Sequence, residues 1–91
     1  MAAAMLTYQD CLGLCDLTPE EIAAIARHEH LPEIAAAELG QYLLHVPNGV
    51  PTIKRMILDD IAEASRRNNP VETARLKLVL HRFVTSHPRH W

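Results

Sequence analysis

Aromatic residues are nearly missing from this chain. One Phe, two Tyr and one Trp make up 4% of its 91 residues, so the core has to be assembled from Leu, Ile, Val and Ala. A core of small aliphatics in so short a chain is modest, and association with a second copy is a common way to bury more surface. Glycine is just as scarce: three residues leave no Gly-rich loop to cradle a phosphate. No nucleophile elbow or Ser-His-Asp pattern is recognisable either. No apolar run approaches the roughly 18–20 residues that span a bilayer, and no stretch alternates as a half-buried strand would. Met1-Ala2-Ala3-Ala4-Met5-Leu6 lacks the basic start and long apolar stretch of a secretion signal. The implied location is the cytoplasm, where the two cysteines stay thiols.

What the chain does have is helix punctuation. Thr18-Pro19-Glu20-Glu21 offers a capping hydroxyl, a proline at the first helical position and a carboxylate three residues on, and Asn69-Pro70-Val71-Glu72 repeats the device. Apolar residues recur at helical spacing around these starts. A first helix is predicted from about Thr7 to Asp16, with Tyr8, Cys11, Leu12 and Cys15 on one face. A second follows Thr18, with Ile22, Ile25 and Ala26 inward, and turns at Leu31 because Pro32 disfavours helical geometry there. A third runs from Pro32 or Glu33 to about Val46. It is apolar nearly all round, which makes it the expected centre, and small residues at Ala36 and Gly40 allow a close helix approach. After the turn Pro47-Asn48-Gly49-Val50-Pro51, a fourth runs to about Arg67 with Ile53, Ile57, Ile61 and Ala64 buried and Lys54, Arg55, Asp59, Asp60, Glu63 and Arg66 in water. A fifth runs from Pro70 to about Ser86 with Leu76, Val79, Leu80 and Phe83 along one side. Residues 1–6 read as a flexible start and 87–91 as a tail. The fold class is all-α: one small domain over residues 1–91, about five short helices in an irregular or orthogonal bundle.

Net charge is −2, but it is unevenly spread: residues 1–65 carry three basic against ten acidic side chains, and residues 66–91 six basic against one acidic. The two parts can attract each other within one chain, across two chains, or leave the basic end to an anionic partner.

Two constellations invite chemistry. Cys11-x3-Cys15 and His28-x-His30, with Glu29 between the histidines, bring zinc-type ligands into one stretch of sequence. The cysteines are one helical turn apart. The histidines are two residues apart and converge only if the helix has ended by His30. The plainer reading packs Cys11 and Cys15 as small apolar residues and leaves the histidines favouring a helix C-terminus. The second constellation is Glu38, Tyr42 and His45, at i, i+4 and i+7 on the helix expected to be central, where a carboxylate needs a partner. A di-iron centre would call for Glu-x-x-His pairs, and no glutamate has histidine three residues on. Helix 33–46 has no Arg or Lys with which to read base edges.

Leu17-Thr18-Pro19-Glu20-Glu21-Ile22-Ala23-Ala24-Ile25-Ala26, His28-Glu29-His30-Leu31-Pro32-Glu33-Ile34 with Ala35-Ala36-Ala37-Glu38-Leu39-Gly40, and Lys54-Arg55-Met56-Ile57-Leu58-Asp59-Asp60-Ile61 resemble a family of small all-helical, proteobacteria-like proteins of unassigned function. The resemblance covers nearly the whole chain. It implies a bacterial cytoplasmic protein and carries no functional residues with it. The expected role is a non-catalytic interaction module that self-associates as a homodimer, without cofactor, membrane insertion or sequence-specific nucleic acid. The alternative is a zinc- or iron-binding protein using His28, Glu29, His30, Cys11 and Cys15.

Overall fold

The computed structural model describes residues 16–91. They form four α-helices: α1 (Pro19–Glu29), α2 (Glu33–Leu44), α3 (Gly49–Arg66) and α4 (Pro70–Ser86), followed by a single 3-10 turn, Pro88–His90. The helix expected over residues 7–16, with Cys11 and Cys15, lies outside the described residues. No described helix is long and apolar enough to cross a membrane.

The first helix start is built as its sequence suggests. The Glu21 N–H donates to Thr18 Oγ1 at 3.2 Å, and the Thr18 N–H donates to Glu21 Oε1 at 2.9 Å, with Pro19 in the first turn. The second start is only half of that device. The Glu72 N–H donates to Asn69 Oδ1 at 3.2 Å, but the Glu72 carboxylate turns away to Arg27 and Arg75.

Both α1 and α3 stop on a left-handed residue, His30 (φ 57°) and Asn68 (φ 56°). In each case the next N–H reaches back five residues, from Leu31 to Ala26 and from Asn69 to Ala64, both at 3.0 Å. This is how a helix end satisfies its last carbonyls. A third left-handed residue, Asn48, turns the chain into α3. There a Cβ on Gly49 would overlap the Leu43 carbonyl, so only glycine fits. Gly40 is the close-approach position its size suggested: a Cβ there would crowd Leu17 and Ile25.

The core corrects the expected centre. Ile22 and Ile25 of α1, Ile53 and Ile57 of α3, and Leu76 and Phe83 of α4 are its large buried side chains. Helix α3 packs on all three other helices. Helix α2 buries only Ala36, Ala37 and Gly40 fully, with Leu39, Leu43 and Leu44 partly covered at the rim. The physical reason is side-chain size. The inward side of α2 is alanine and glycine, which lets it come close but contributes little volume, whereas α3 inserts branched isoleucines.

The C-terminal residues, read as a tail, fold back. The Trp91 Nε1–H donates to the Val84 carbonyl at 3.0 Å. The Trp91 ring lies 6.5 Å from Phe83, centroid to centroid, with Lys54 Nζ 4.6 Å over it.

Candidate functional site

The end of α1 and the middle of α3 enclose a cleft of about 410 Å³, lined among others by His28, His30, Asp59, Asp60 and Glu63. His28 is its hub. His28 Nδ1 lies 2.7 Å from Glu29 Oε2, and Nε2 lies 2.9 Å from Asp59 Oδ2. Carboxylate oxygens only accept, so both nitrogens donate together only when the ring is an imidazolium. Partial burial opposes that charge, but the Asp59 and Glu29 carboxylates outweigh it and hold the pKa of His28 above its ordinary value.

Asp60 sits deeper, 6% exposed, and among the described residues its Oδ2 has no hydrogen-bond partner. Burial pushes its carboxyl up to about 6, against the pull of His28 and Arg27. The expectation that Asp60 faces water is therefore wrong. Its place in the sequence explains why: Met56, Asp60 and Ala64, four residues apart in turn, form one buried line on α3. Asp59 meets His28 of α1. Glu63 pairs with Arg67 one turn on, with Arg67 Nε 2.8 Å from Glu63 Oε2.

Behind the cleft, Arg27 crosses to Glu72 on α4, which Arg75 also holds. The Arg75 hydrogen bonds, with the Arg27 bond adding to them, outweigh desolvation and hold the Glu72 carboxyl down at about 2. Glu21 shows the opposite balance: burial pushes its carboxyl up despite the Thr18 hydrogen bonds.

Of the zinc-type set, the structure brings His28, Glu29 and His30 to one corner, with His30 as the left-handed cap of α1. Cys11 and Cys15 lie outside the described residues. Among the described residues, no three His, Cys, Asp or Glu side chains are arranged to hold a metal ion. Glu38, Tyr42 and His45 are not buried. All three are exposed, Tyr42 at 63%, on the side of α2 that points away from α1 and α3. His45 donates through Nδ1 to the Gln41 carbonyl at 2.8 Å. The fault in the expectation was the choice of central helix, since the i, i+4, i+7 spacing does put the three on one face.

Sequence reasoning also missed the outer face of α4. Val71 is 78% exposed and Leu78 52% exposed, with exposed Ala74 between them. These positions fall on one helical stripe. Arg75 and Arg82 rim it on one side and Lys77 on the other. Arg66 and Arg67 pair with Glu63 and Arg75 with Glu72, whereas neither Lys77 nor Arg82 forms an ion pair among the described residues.

Comparison with family models, with curated proteins and with solved structures gave no match.

Proposed function

We propose that this chain is a non-catalytic helical interaction module that associates with a second copy of itself. The supporting observation is the outer face of α4, where Val71, Ala74 and Leu78 stand in water along one stripe edged by cations. Single exposed aliphatics are ordinary, but aligned ones with a polar rim mark an interaction surface. The scarcity of aromatics points the same way: the core is small, and association adds burial that the chain does not supply alone. The expected setting is the cytoplasm, where its two cysteines remain reduced.

The test is sedimentation velocity of the whole chain from low micromolar to near-millimolar concentration. The average mass rises with concentration for the parent chain. Leu78→Glu, at an exposed position, keeps the helical circular dichroism and holds the chain monomeric. A parent chain that is monomeric throughout the range overturns the reading.

A further inference from the structure

The α4 stripe raises the question of what it meets. Lys77 and Arg82 carry positive charge that no ion pair takes up among the described residues, so a second basic stripe matches this face less well than a surface that carries an acid. The surface that fits is apolar and acidic, and the outer face of α2 has that character. Ile34, Glu38 and Tyr42 follow one another at four-residue spacing, all exposed, Ile34 at 36% and Tyr42 at 63%. Glu38 carries the negative charge of this face, and no hydrogen bond or ion pair engages it among the described residues. The two faces also match in length: Ile34 to Tyr42 spans about 12 Å along its helix and Val71 to Leu78 about 10.5 Å, at 1.5 Å per residue. Helices α2 and α4 share no extensive packing within the chain.

We infer that the outer face of α2 in one copy docks on the outer face of α4 in another, with Ile34 and Tyr42 against Val71 and Leu78 and Glu38 among the rim cations. The inference rests on the self-association proposed above and names the two surfaces that meet. It makes the contact heterologous: each copy offers one acidic-apolar face and one basic-apolar face.

That asymmetry gives a decisive experiment. Glu38→Lys reverses the charge on α2, and the pair Lys77→Glu with Arg82→Glu reverses it on α4. All three positions are exposed, and circular dichroism checks that the fold is kept. Each charge-reversed protein alone associates about tenfold more weakly than the parent or worse, a change of about 1.4 kcal/mol. An equimolar mixture regains affinity, because the unaltered α4 of the first protein meets the unaltered α2 of the second. Tyr42→Ser weakens association without changing its salt dependence. A parent that associates while Glu38→Lys has no effect, or a mixture that stays as weak as its components, overturns the α2–α4 pairing and leaves self-association standing. A monomeric parent overturns both and leaves the α4 stripe to an acidic helix of another protein.

Discussion

Helices α2 and α3 exchange the roles their compositions suggest. Helix α2 is apolar nearly all round, yet only two alanines and a glycine are fully buried, and Tyr42 stands in water. Helix α3 is dense with charge, yet it packs on every other helix and buries Ile53 and Ile57 completely. Centrality follows the size and branching of side chains on one stripe, more than the number of apolar residues around the helix. An alanine-rich helix approaches closely but fills little volume. A helix with isoleucines one turn apart supplies a ridge that neighbours can enclose.

The contrast breaks most directly by truncation. Ile57→Ala is expected to cost about 2–5 kcal/mol, the range for a fully buried aliphatic. Leu39→Ala, at a partly covered rim position of α2, costs about 1 kcal/mol. Urea denaturation measures both, and equal losses would restore α2 to the centre.

The buried acid on α3 sharpens the contrast through pH. The Asp60 carboxyl is raised from 3.8 to about 6 in the folded chain. The folded state therefore holds a proton that the unfolded state has released, and stability falls as pH rises through that window. His28, also raised, continues the fall as pH climbs above its ordinary range, and the raised Glu21 acts in the same direction. Glu72, lowered to about 2, opposes them: its contribution is full above the ordinary carboxylate range and is lost as pH falls towards 2. The parent chain is expected to be about 2 kcal/mol more stable near pH 4.5 than at neutral pH. Asp60→Asn removes much of that difference by stabilising the neutral-pH form. Denaturation midpoints across the pH range decide it, and a slope that survives Asp60→Asn assigns the proton elsewhere.

The smallest effect belongs to the outer side of α2. Tyr42→Ser is expected to change the stability of the monomer by about 0.5 kcal/mol or less, as at other open surface positions. A thermal melt at low protein concentration measures it, and a loss several times larger would mean that this face is covered.

Much of this was legible in the sequence where the cause is local. The Thr18 start is complete because its partners are three residues apart. So are the Ile53–Ile57 stripe and the Glu63–Arg67 pair, and the close approach at Gly40 is signalled by its own small size. The Asn69 start has the same local signal, but Glu72 is claimed by Arg27, 45 residues away. Arg75, three residues on, competes within the same stretch of sequence, and the share taken by Arg27 is the part no local window shows. The cleft was half visible. The corner at His28 was marked by its polar residues, whereas its partners arrive from 31 residues on, at Asp59. Asp60 was hidden by its own chemistry: an aspartate among charged neighbours reads as solvated, although its four-residue spacing to Met56 and Ala64 places it on the buried line. The left-handed ends at His30 and Asn68 were missed because glycine, the usual signal, is at neither.

The folded-back C-terminus has a practical consequence. Trp91 is the chain's one tryptophan, and it is seated against Phe83 and beneath Lys54. Intrinsic fluorescence therefore watches one place, the seal between the last turn and the α3–α4 pair. If emission shifts while the helical signal is intact, the terminus has let go before the bundle has opened, and the free energy of that local release can be read separately from global unfolding.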